Sequence, residues 1–291
     1  EKTYQRQKNI AVRLANALRE KGVKMFVLKG MSFSTYYDKP SQRQSGDCDC
    51  YLMPMDGHIS RDRAFELGNE TAREIGGEVE RGTYKHSHII LDGLLIENHH
   101  YLTDFDGTKR GKKRERLLEG IISQDNGEVI DGTVLYKPGD RFNAVFLIWH
   151  AHGNFMKAGL TLRMLYDWAM LLRMKQNVLQ WRQIYDDMEG CGIREFADIM
   201  TAVCVKFLGV QITDSQVTRC DNEILVDEIM LDTLHSDTHM MPNETLFVKA
   251  RRIMKRFRRM WHYRSLATEP YPLMVWNDFA FSSYMKRDIS L

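Results

Sequence analysis

The residues best suited to chemistry lie in two short stretches, Lys29-Gly30 and Asp47-Cys48-Asp49-Cys50. The second stretch sits in an apolar run that reads as a β-strand. Successive strand side chains alternate faces, so Asp47 and Asp49 point one way and Cys48 and Cys50 the other. An unpaired cysteine is a small hydrophobe, so the thiol face suits a core. Two neighbouring carboxylates repel each other, and a hard dication offsets that repulsion best. Mg²⁺ takes a few such oxygens together with substrate phosphates. A solitary Asp-x-Asp is more often a solvated edge strand or a turn. Here it has company: Lys29-Gly30 before it, Arg43 and Gly46 just upstream, and Glu97 in a later strand. Glu97 interrupts an apolar stretch and shares a strand face with His99. Lys29 and Arg43 can balance phosphate charge or pair with the aspartates. Gly30 has no Cβ, so backbone N–H groups there can approach an anion closely.

These side chains need elements to hold them. Ile10, Ala11, Leu14, Ala15 and Leu18 make an apolar stripe at helical spacing, which predicts a helix over 3–21 ended by Gly22. A strand over 23–28, a short helix or turn over 31–38 and a strand over 45–53 follow, the last stopped by Pro54. A helix is expected over 59–75. Residues 78–102 are β-rich, and Asp92-Gly93 between apolar runs predicts a two-residue hairpin turn. Asp131-Gly132 predicts a second hairpin. The basic cluster between Lys109 and Arg116 reads as the solvated face of a helix. An anion patch is the rival reading. From Asp140 the pattern turns helical, over 140–156, 159–176, 178–189, 194–208, 222–234 and 244–262, with a further element at 273–286. The fold class expected is α+β: a small mixed-sheet domain over 1–138, then an all-α domain over 139–291.

The ordered set is Leu28-Lys29-Gly30, Arg43-x-x-Gly46-Asp47-x-Asp49, Glu97-x-His99, His150 and Leu162-Arg163-x-Leu165-x-Asp167. It resembles a bacterial family of uncharacterised nucleotidyltransferases within the DNA polymerase beta-like superfamily, over roughly residues 10–175. One departure is Met31, which separates Gly30 from Ser32 where the superfamily has Gly-Gly or Gly-Ser. The resemblance implies transfer of a nucleoside monophosphate from a nucleoside triphosphate to an acceptor, with release of pyrophosphate. It implies Mg²⁺ or Mn²⁺ held by Asp47, Asp49 and Glu97, with Glu97 also taking the acceptor's proton. Lys29, Gly30, Ser32, Arg43 and His99 would contact the nucleotide. The acceptor is a small molecule, an RNA end or a protein side chain. The alternative is a catalytically silent protein of the same fold that binds a nucleotide or a partner. A zinc hydrolase built on His99, His100, His150 and His152 is disfavoured. His99 and His100 point to opposite strand faces, and there is no His-Glu-x-x-His.

Bulk properties narrow the field. The 291 residues carry 41 basic and 39 acidic side chains, so net charge is only +2 and no global field calls for nucleic acid. Five cysteines without regular spacing suggest reduced thiols and a cytoplasmic protein. No apolar run is long enough to span a membrane, and nothing at the N-terminus resembles a signal peptide.

Overall fold

The computed structural model describes residues 1–43, 45–80, 82–103, 108–235 and 246–276. The chain divides between Asn143 and Ala144 into two compact units.

The first unit opens with α1 (Lys2–Glu20), whose stripe from Ile10 to Leu18 is buried. Gly22, at φ 75, turns the chain into β1 (Val23–Val27). A five-residue helix, α2 (Gly30–Ser34), is shorter than the sequence suggests. β2 (Asp47–Pro54) includes its proline, which pairs with Val23 at the very end of the ladder. There the missing N–H costs little. Ser60 caps α3 (Arg61–Glu74) by accepting from the Arg63 N–H. Then come β3 (Glu78–Glu80), β4 (His86–Leu91), β5 (Leu94–His99), α4 (Lys109–Ser123), β6 (Glu128–Val129) and β7 (Tyr136–Lys137).

The strands form one mixed sheet in the order β3-β4-β5-β2-β1-β7-β6. β1 and β2 are antiparallel, β2 and β5 are parallel, and β4 and β5 are antiparallel. Asp92 and Gly93 join β4 to β5 with φ values of 47 and 76, the left-handed pair that a type I′ turn requires. The apolar face of the sheet carries Val23, Met25, Val27, Cys48, Cys50, Leu52, Ile89, Leu91 and Ile96. It shares one core with the buried stripe of α1 and with Ala64 and Ala72 of α3. Asp47, Asp49, Glu97 and His99 fall on the other face by strand alternation. Lys109, Arg110, Lys112, Lys113 and Arg116 are exposed along α4, while Arg114 and Glu115 are buried.

Helix α5 (Asp140–Lys157) begins in the first unit. The second unit holds α6 (Leu162–Lys175), α7 (Trp181–Cys191), α8 (Arg194–Leu208), α9 (Glu223–Leu234) and α10 (Leu246–His262). Trp168 on α6 donates from Nε1 to Thr201 Oγ1 on α8 at 3.0 Å and meets Trp181 edge-on. His152 donates from Nε2 to the Leu266 carbonyl at 2.8 Å, and His150 accepts from Asn154. Arg163 is exposed and Asp167 buried. The element expected at 273–286 falls largely outside the described residues. The chain is thus α+β, a mixed sheet with helices followed by a helical region. Among the described residues, no helix is long and apolar enough to cross a membrane.

Candidate active site

Lys29 and Gly30 make the turn between β1 and α2. Lys29 takes φ 44 and ψ −139, a strained backbone for a residue with a side chain. Gly30 follows at φ 22, and a Cβ there would stand 2.7 Å from Ser45 Oγ. Only glycine lets the turn close down on Ser45. Ser45 donates from Oγ to Asp47 Oδ1 at 3.3 Å, so the glycine indirectly sets a carboxylate.

Asp49 is the centre of the cluster. Its side chain is 4% exposed, and Lys29 Nζ lies 2.7 Å from its Oδ1. His99 Nε2 donates to the same oxygen at 2.9 Å, and His99 Nδ1 is 3.2 Å from the Tyr101 carbonyl. A buried carboxylate needs such partners. Burial alone would raise the Asp49 carboxyl, but the Lys29 ammonium and the His99 ring outweigh it and hold the group well below the usual carboxylate range. Asp47 goes the other way. Burial, then the negative charge of Asp49, raise its carboxyl against the pull of Lys29.

Glu97 stands directly opposite Asp49 across the parallel β2–β5 ladder. Residues paired in this way share a face. Burial pushes the Glu97 carboxyl up, and the His99 ring more than offsets that, leaving it below its ordinary value. Asp49, Glu97 and His99 each offer one ligand atom, and these atoms lie within 4.8 Å of one another. Two oxygen donors at the centre of that group, with a third carboxylate crowded against Asp49, suit a hard dication. Burial raises Asp47 most, and the repulsion from Asp49 that adds to it is what such an ion relieves.

Five of the expected residues, Asp47, Asp49, Glu97, Lys29 and His99, are thus in one cluster, with Gly30 beneath it. Ser32 has no exposed surface, and its hydroxyl is 3.5 Å from Asn143 Oδ1, within the packing of the first unit. Arg43 is half-buried on the loop leading into β2, just after the 3-10 turn Pro40–Gln42.

The expected set omits Ser45 and two histidines. His88 pairs with Glu97 and His86 with His99 across the β4–β5 hairpin. The rings of His86 and His88 stack with centroids 5.0 Å apart, and His86 lies 5.2 Å from His99. Burial is the largest cause pushing the His86 imidazole down to about 4. The signal for both is in the turn: counting back from Asp92-Gly93 places residue 88 opposite 97 and residue 86 opposite 99.

Comparison with known proteins agrees with the class of this site. No curated protein and no solved structure matches the chain. A family model described as an uncharacterised nucleotidyltransferase matches residues 1–209, well over half of the 291. The chain belongs to that nucleotidyltransferase family.

Proposed function

We propose that the protein transfers a nucleoside monophosphate from a nucleoside triphosphate to an acceptor, using Mg²⁺ or Mn²⁺ at Asp47, Asp49 and Glu97. The observation that carries this reading is the pairing of Asp49 with Glu97 on adjacent parallel strands, with Asp47 two residues away. The family match supports the reaction class. In the reaction the acceptor oxygen bonds to the α-phosphorus, the bond from that phosphorus to the bridging oxygen breaks, and pyrophosphate leaves. A bound dication stabilises charge developing on the attacking and leaving oxygens. Glu97 is ionised and its side chain is 20% exposed, so it is available to take the acceptor's proton, and its lowered carboxyl makes it a weak base for that step. His99 positions Asp49 through its 2.9 Å hydrogen bond. Lys29 pairs with Asp49 in the free protein and turns to triphosphate oxygens when Asp49 is otherwise satisfied. Gly30 keeps the turn tight against Ser45. Arg43 is assigned as the second cation for the triphosphate, and the acceptor is a small molecule, an RNA end or a protein side chain.

A second reading, a silent nucleotide- or partner-binding protein, is favoured by one observation. Lys29 and His99 already satisfy Asp49 without any ion. Thermal shift with each of the four ribonucleoside triphosphates, with and without Mg²⁺, separates the two when coupled to a pyrophosphate-release assay. Metal-dependent stabilisation with pyrophosphate release, both lost in Asp49→Asn, supports transfer. Stabilisation without release across an acceptor panel supports the silent reading. No stabilisation by any triphosphate sinks transfer and leaves the partner-binding form of the silent reading.

A further inference from the structure

Glu97 divides its two oxygens between different neighbours. Oε2 faces His99 at 3.6 Å. Oε1 is 3.8 Å from Nε2 of His86 and 3.8 Å from Nε2 of His88. The proposed transfer reaction uses neither His86 nor His88. Two imidazole nitrogens within 3.8 Å of one carboxylate oxygen form a donor set of a different character from the aspartate pair. Oxygen-only sites suit Mg²⁺, whereas imidazole nitrogen suits Zn²⁺ and its first-row neighbours.

We propose that His86, His88 and Oε1 of Glu97 form a second metal site, selective for a borderline transition dication of the Zn²⁺ class. The three ligand atoms lie within 4.8 Å of one another. Zinc–nitrogen and zinc–oxygen bonds of about 2.0–2.2 Å in a tetrahedron place neighbouring donors roughly 3.3–3.5 Å apart. Small side-chain rotations therefore close the trio onto an ion. The backbone is already committed, because the type I′ turn fixes residue 88 opposite 97. Among the described residues, Nδ1 of His86 is buried and has no hydrogen-bond partner, so this ring carries a polar atom that they leave unsatisfied. The side chain of His88 is 32% exposed, which gives an ion a way in from solvent. The fourth position is open to water, the arrangement of a three-ligand zinc site.

The site shares Glu97 with the proposed Mg²⁺ site but needs no nucleotide and no turnover, so it stands or falls independently. The test uses the full chain, stripped of metal with a chelator and held in excess Mg²⁺. Zn²⁺ alone is titrated by calorimetry, and Co²⁺ alone by visible absorption. The expected result is one Zn²⁺ per chain that Mg²⁺ does not displace, with a Co²⁺ spectrum that Zn²⁺ abolishes. His88→Ala and His86→Gln are each expected to weaken Zn²⁺ binding about tenfold or more. Asp47→Asn is expected to leave it unchanged. Melting of each variant without metal shows that it is folded, and His88→Ala, at a half-exposed position, is the safer of the two. No Zn²⁺ binding by the wild type, or wild-type affinity in both folded histidine variants, would overturn the proposal. So would loss of Zn²⁺ binding in Asp47→Asn, which would put the ion on the aspartates.

Discussion

Lys29 Nζ, in the turn that follows β1, sits 2.7 Å from Oδ1 of Asp49 on β2, the strand that pairs antiparallel with β1. The cation that satisfies the buried acid is supplied by the next turn of the same sheet. Removing one partner of a buried pair typically costs about 3–5 kcal/mol, because the other charge is left uncompensated. His99 remains on Asp49, so the low end of that range applies. Lys29→Met is expected to lower unfolding stability by about 3 kcal/mol without divalent cation. Adding Asp49→Asn in the same chain is expected to recover most of it. Urea unfolding of the two singles and the double forms the cycle. Additive losses would mean that the pair is not coupled.

The two aspartates give opposite pH signs. The native Asp49 carboxyl lies below its unfolded value near 3.9. Its contribution is therefore present above about pH 4 and is lost as pH falls toward the native value. Asp47 is raised, so the native state binds more protons than the unfolded one, and stability falls as pH climbs from about 4 through the native value. Asp47→Asn is thus expected to raise the melting temperature at pH 7 while abolishing metal-dependent transfer. A lower melting temperature for this variant at neutral pH would contradict the charge crowding described above.

Gly30 controls a carboxylate through Ser45. A methyl group at position 30 meets Ser45 Oγ, so Ser45 must shift and its hydrogen bond to Asp47 is disturbed. Gly30→Ala is expected to reduce transfer about tenfold or more, the scale on which sub-ångström misplacement acts. Ser45→Ala in an otherwise unchanged chain removes the same hydrogen bond and should lower the rate in the same direction. An unchanged rate in Gly30→Ala would show that Asp47 does not depend on Ser45.

The thiols offer a check on strand register. None of the five cysteines forms a disulfide; Cys48, Cys50, Cys191 and Cys204 are buried, and Cys220 is half-buried. Burial also raises the Cys48 and Cys50 thiols well above their ordinary value, which suppresses the reactive thiolate. A thiol reagent is expected to titrate only Cys220 in the native protein and all five in urea. Cys48→Ala should cost about 1–2 kcal/mol by leaving a small cavity, with transfer unaffected. Lost activity without lost stability would mean that Cys48, not Asp49, faces the site.

Much of this arrangement is legible in the sequence. The stripe of α1 declares its buried face through helical spacing, and Asp92-Gly93 declares its turn because few other pairs accept two left-handed residues. Asp47 and Asp49 are readable because strand alternation puts them on one side and two small apolar thiols on the other. What depends on distant partners is not readable. Ser32 is buried beside Asn143, 111 residues later. His86 and His88 matter through pairing with Glu97 and His99 rather than through any motif of their own. His99 lies closer to Asp49 on the neighbouring strand, at 2.9 Å, than to Glu97 on its own strand, at 3.6 Å, because β5 lies beside β2 in the sheet.

The hairpin turn has one more consequence. His88 and Glu97 form the fourth rung counted outward from Asp92-Gly93. Every polar side chain that β4 brings to the carboxylates is therefore phased by the length of a two-residue loop. One inserted residue would slide β4 by a step and turn both imidazoles into the apolar layer beneath α1 and α3. That loop acts as a reading frame for the sheet: its spelling can vary among residues that tolerate a left-handed backbone, but its letter count cannot.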